Sequence, residues 1–93
     1  MKEFNSFNAF NMVDLEQVGN RIKKIRIDND LTVEKFAEIL NVSSNAVYKW
    51  QRGENAPDII NIGFISSRFD VSLDYLIMGR GDDEEPSPLP FSA

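Results

Sequence analysis

Between Thr32 and Gly53 the chain encodes two short helical runs with only three residues, Asn41, Val42 and Ser43, between them. Thr32 can cap the first run by accepting a first-turn N–H, and Leu31 before it can pack on Phe36 as a hydrophobic staple. Phe36, Ala37, Ile39 and Leu40 supply the buried side of that run. Asn41 stands where a short helix must end in a left-handed residue, a conformation asparagine tolerates better than any residue except glycine. Val42 is the apolar residue of the turn, Ser43 caps the next helix, and that helix runs from Ser44 to about Arg52 and stops at Gly53. So short a link makes the two helices pack at an angle against each other, which constrains the fold more than any other feature of the chain.

The remaining elements are also helical. Asp14 followed three residues later by Gln17 is a capping-box pattern, after which Leu15, Val18, Ile22, Ile25 and Asn29 recur at helical spacing with Arg21, Lys23, Lys24 and Arg26 alongside. Glu54 to Pro57 reads as a loop, and Asp58 caps a fourth helix over Ile59 to Phe69, whose buried stripe is Ile59, Ile62, Ile65 and Phe69. Ser72 caps a fifth helix, Leu73 to Met78, closed by Gly79. No strand-like alternation and no internal repeat occurs, so the fold class is all-α with five helices. Residues 14–79 form the single domain. Residues 1–13, with Phe4, Phe7 and Phe10 among Asn5, Asn8 and Asn11, read as a flexible arm, and 80–93, acidic and proline-rich, as a disordered tail.

Composition narrows the function. Hydrophobic residues at 42% and aromatics at 11% in 93 residues suffice for one core and not two. With no cysteine and no histidine, disulfides, thiolate chemistry, imidazole catalysis and nearly every zinc site are excluded. No glycine-rich phosphate loop and no nucleophile beside a base are present, so the chain reads as a non-enzyme without cofactor or metal. No apolar run is long enough for a signal sequence or a bilayer span, which points to the cytoplasm and away from membrane partners. The formal net charge is −5, but removing Asp82, Asp83, Glu84 and Glu85 leaves −1. The folded part is near neutral, so phosphate approach depends on basic residues gathered on one face. The acidic tail reads as solubilising, or as a phosphate mimic competing for such a face.

On the third helix Val47 and Trp50, at i and i+3, face the core, and Ala46 allows close approach. Ser44, Asn45, Tyr48, Lys49 and Arg52 are left on or beside the outward face. Asparagine can pair with adenine N6 and N7, lysine reaches guanine O6 or N7, and serine or tyrosine serve bases or phosphates. Two short helices joined in this way, the second polar outside, let one helix lie along the major groove.

The runs Arg21 to Arg26, Leu31 to Pro57 and Phe69 to Leu76 resemble the Xre-type, lambda-repressor-like helix-turn-helix family. The resemblance extends from Val18 to Met78 and is most telling from Ala37 to Gly53, then at Pro57 and Val71-Ser72-Leu73. It implies a five-helix domain with helix three in the major groove of double-stranded DNA, acting as a homodimer on a two-fold operator. Base-contact positions carried over are Ser44, Asn45, Tyr48 and Lys49. Where the family often has a phosphate-binding glutamine after the helix-two cap, this chain has Val33, leaving only its backbone N–H. Arg52 and Asn55 at the helix-three exit are the other phosphate candidates, followed by Lys35 and Lys23.

Two further departures stand out. The family commonly pairs an arginine at Arg26 with a glutamate where this chain has Gln51, so the charge-assisted part of that bond is lost. On helix four, Ile60 and Phe64 lie outside the buried stripe at positions the family tends to keep polar, with Gly63 between them. That ridge, with Tyr75, is expected to be a dimer or partner surface. The leading function is transcriptional control, most simply repression by covering a promoter. The alternative is a protein-interaction module, antitoxin-like or anti-repressor, that retains the scaffold.

Overall fold

The computed structural model describes residues 13–81. The phenylalanines of the arm and the acidic and proline-rich tail lie outside the described residues. The described chain is all-helical: α1 (Leu15–Asp28), α2 (Val33–Leu40), α3 (Ser44–Gln51), α4 (Ile59–Phe69) and α5, a single π-type turn (Asp74–Met78). None of these helices is long and apolar enough to cross a membrane.

Every cap residue read from the sequence accepts a first-turn N–H. The Asp14 carboxylate accepts from the Glu16 and Gln17 N–H groups, Thr32 Oγ1 from Lys35 at 3.0 Å, Ser43 Oγ from Ala46 at 3.0 Å and Asp58 Oδ1 from Asn61 at 2.9 Å. Ser72 Oγ accepts from Tyr75 N–H at 2.9 Å, ahead of α5. Asn41 closes α2 in the left-handed region, at φ 60° and ψ 45°. Each cap satisfies a backbone donor that the helix itself leaves unpaired.

The core gathers one stripe from each helix: Val18, Ile22 and Ile25 of α1, Phe36, Ala37 and Leu40 of α2, Val47 and Trp50 of α3, Ile62 and Ile65 of α4, and Leu76 of α5. Phe36 stacks on Phe69 with ring centroids 5.5 Å apart, joining α2 to α4. The Arg26–Gln51 bond forms, with Arg26 Nε donating to Gln51 Oε1 at 2.9 Å and Nη1 to the Leu31 carbonyl at 2.9 Å. One guanidinium thus ties α1, the α1–α2 link and the end of α3 together.

Three expectations need correction. Ile59 is 80% exposed and does not belong to the buried stripe of α4, because the helix begins there and its first residue overhangs the core. Tyr75 is buried at 8% exposure, with the Arg21 guanidinium 6.0 Å from its ring centroid, so it is not part of a dimer surface. The last helix spans Leu73 to Met78 as expected, but Asp74–Met78 form a wider, π-type turn, in which the neighbours Tyr75 and Leu76 are both buried.

Candidate nucleic-acid interface

The position of α3 is fixed by α1. A Cβ on Gly19 would collide with the Trp50 carbonyl oxygen and lie 2.9 Å from that of Gln51, so only glycine lets the two helices approach this closely. Gly53 sits at φ +77°, and a Cβ there would come within 3.0 Å of the Glu16 Cα. It ends α3 in a Schellman closure: Gly53 N–H donates to the Trp50 carbonyl at 3.0 Å and Glu54 N–H to the Lys49 carbonyl at 2.9 Å. At the other end, the left-handed Asn41 and the Ser43 cap fix the angle from α2. Both ends of α3 are held by backbone geometry as well as by the buried Val47 and Trp50.

On the opposite side of α3, Asn45 and Tyr48 are exposed, while Ser44 and Lys49 are half-buried. These four occupy the outward half of the helix, beside the exposed Arg52 at its cap and Asn55 in the loop that follows. The Val33 side chain is buried, which leaves its N–H in the first turn of α2 as the polar group there. Lys35 is exposed but pairs with Glu38 at 3.4 Å. Arg52 pairs with Glu54, its Nε donating to Oε2 at 2.5 Å and its Nη2 to Oε1 at 3.3 Å. The hydrogen bond with Arg52 holds the Glu54 carboxyl below its ordinary range, with Lys49 also contributing, and the same bond raises Arg52.

The basic run of α1 divides. Arg21 Nη1 donates to the Leu76 carbonyl at 3.1 Å and to that of Ile77 at 3.4 Å, so this residue seals α5. Arg26 serves the core as described, and Lys24 pairs with Asp28 at 2.9 Å. Lys23 is exposed. Sequence spacing placed these four together as flanking cations and supplied a partner, Gln51, for Arg26, but not those of Arg21 and Lys24.

A second surface is apolar. Ile59, Ile60 and Phe64 are 80%, 75% and 40% exposed, and a Cβ on Gly63 would meet nothing within 4 Å. Beside them an apolar cleft of about 240 Å³ opens between the start of α1, at Val13 and Leu15, and the start of α4, at Pro57 and Ile59. The sequence reading found the ridge but not the cleft, whose lining joins α1, the loop before α4, α4 itself and Ile77 of α5.

A family model for the helix-turn-helix matches residues 22–76 of the chain. The chain belongs to the Xre-type helix-turn-helix family. It is 33% identical over 64 residues to the HTH-type transcriptional activator BcrR of Enterococcus faecalis, covering 69% of this chain and 31% of that protein. It is 33% identical over 66 residues to the uncharacterized HTH-type transcriptional regulator YqaE of Bacillus subtilis, covering 71% and 57%. It is also 29% identical over 72 residues to the antitoxin PezA of Streptococcus pneumoniae, covering 77% and 44%. The matched stretch thus spans less than two thirds of each of these relatives. In fold, this Xre-type chain is similar to the restriction-modification controller protein C.AhdI of Aeromonas hydrophila, with a TM-score of 0.61 at 23% identity over 69% of this chain and 93% of that one.

Proposed function

We propose that this chain binds double-stranded DNA in a sequence-specific manner as a homodimer, with α3 in the major groove of a two-fold operator, and represses transcription by occupying a promoter. The observation that carries the reading is the row Ser44, Asn45, Tyr48 and Lys49, turned outward on a helix whose other side is anchored by the buried Val47 and Trp50. A recognition helix needs both properties, because base edges are read only if the side chains that reach them are held in register. Phosphate contacts then come from the Val33 N–H, Arg52 and Asn55, with Lys35 and Lys23 further contributors once Lys35 leaves Glu38. Membership in a family of transcriptional regulators supports this role. The reading carries a cytoplasmic location with the DNA and needs neither cofactor nor catalysis.

The dimer surface in this reading is Ile60, Gly63 and Phe64 with Ile59 added and Tyr75 removed, since an exposed apolar ridge beside a cleft favours a second copy. The same ridge and the near-neutral charge favour a second reading, a protein-interaction module, and the similarity to an antitoxin is consistent with it. Selection from a random duplex library, followed by salt-dependent titration of wild type and of the Asn45→Ala, Lys49→Ala double variant, separates the two. The DNA reading expects an enriched two-fold motif whose affinity falls with salt and is lost in the double variant. No enrichment at low salt would leave the partner-binding module as the better account.

A further inference from the structure

Glu54 occupies an unexpected place. The Schellman closure of α3 folds its backbone back over the last turn, where Glu54 N–H meets the Lys49 carbonyl at 2.9 Å. Its carboxylate is therefore held at the C-terminal, electronegative end of the proposed recognition helix, an unfavourable position for an anion with respect to the helix dipole. Its side chain takes the Nε and Nη2 donors of Arg52, the cation best placed at the α3 exit to meet a phosphate, and lies near enough to Lys49 to feel its charge. A carboxylate and a phosphate oxygen compete for the same guanidinium donors. Arg52 and Glu54 are both half-exposed, at 53% and 49% for their side chains, so the pair contributes little to holding the fold and its effect falls on the surface.

We propose that Glu54 is a built-in competitor of DNA phosphate for Arg52, and so sets how tightly the α3 face holds any duplex. The inference rests on the DNA-binding reading above and deepens it. Non-specific binding to DNA is almost wholly a matter of phosphates neutralised and counterions released, so masking one arginine lowers the affinity for random sequence and softens its salt dependence. In a domain with equal numbers of acids and bases between Gly19 and Met78, one masked cation is a substantial share of the positive charge available.

The test uses the full chain as wild type, Glu54→Gln, Arg52→Gln and the double variant, each titrated over a range of salt against the selected operator and a random duplex, with thermal melts as a control for folding. Glu54→Gln is expected to bind both duplexes several-fold more tightly at low salt, with a plot of log affinity against log salt steeper by about one. Arg52→Gln is expected to weaken binding to both duplexes, and the gain from Glu54→Gln should be lost once Arg52 is already replaced. Unchanged affinity and slope in Glu54→Gln overturns the proposal while leaving the DNA reading intact. Weaker binding overturns it too, since Glu54 would then be orienting Arg52, as does a gain that survives in the double variant. If wild type binds neither duplex, the DNA reading fails with it.

Discussion

Helices α3 and α4 each bury one stripe and expose the rest, yet they expose opposite chemistries. α3 turns Asn45, Tyr48 and Lys49 outward and is capped, braced and closed at both ends. α4 turns Ile59, Ile60 and Phe64 outward and carries Gly63 at an unobstructed site in its interior. A polar surface reads its target only if it is rigid, because hydrogen bonds demand position. An apolar surface tolerates more play, since burial has no direction. Both helices are capped and closed, α4 by Asp58 and the left-handed Asp70. The contrast is that the close approach of Gly19 seats α3, the helix proposed to read bases, against α1, while α4 presents the surface proposed for association.

The widest separation between the two helices should come from matched truncations. Trp50→Ala, in the buried stripe of α3, is expected to cost about 3–5 kcal/mol in urea unfolding, whereas Ile60→Ala on the outer side of α4 should change stability by less than about 0.5 kcal/mol. Equal losses would mean that the exposed side of α4 is covered within the single chain. Next, Gly19→Ala drives a methyl group into the Trp50 carbonyl and should cost about 1–3 kcal/mol while displacing α3. A variant of normal stability would show that α3 is not held by that approach.

Phe64→Glu should shift sedimentation toward the monomer and weaken operator binding at dilute protein, with the single chain losing about 1–2 kcal/mol because the ring is only 40% exposed. Unchanged sedimentation would remove α4 from the association surface. Gly63→Ala sharpens the same point, because it should stabilise the isolated helix by about 1 kcal/mol, there being nothing within 4 Å to obstruct the methyl. If α4 packs closely on a second copy, this variant is more stable yet associates less. The smallest effect belongs to Gln51→Glu, which restores a charge-assisted bond to Arg26 and should raise stability by about 0.5–1 kcal/mol. A melting temperature unchanged or lowered would contradict it.

Much of the scaffold was legible because the signals are local. Asp14, Thr32, Ser43 and Asp58 act within three residues of themselves, and Asn41 needs only its own backbone, so caps and turn follow from neighbours in the chain. The stripe of α3 and the middle of that of α1, Val18, Ile22 and Ile25, were legible for the same reason, whereas Leu15 and Asn29 at its ends are exposed. Ile59 and Tyr75 were misread because periodicity gives the side of a helix but not how far the core extends along it. The first turn of α4 overhangs the core, and the widened turn of α5 brings Tyr75 under Arg21.

What the sequence by itself determined was the order and type of the helices, the turn between α2 and α3, and the set of side chains that α3 turns outward. Those depend on contacts a few residues apart. Tertiary structure alone decided that Arg21 is tied to the distant Leu76 and Ile77 carbonyls while Lys23 is exposed. It alone decided that Gly19 lets α1 seat α3, that α1, α4 and Ile77 of α5 line a cleft, and that the α3 closure lays Glu54 back over its own last turn beside Arg52. Charge and close approach act through space, so which cations are engaged is settled only when residues far apart in the chain are brought together.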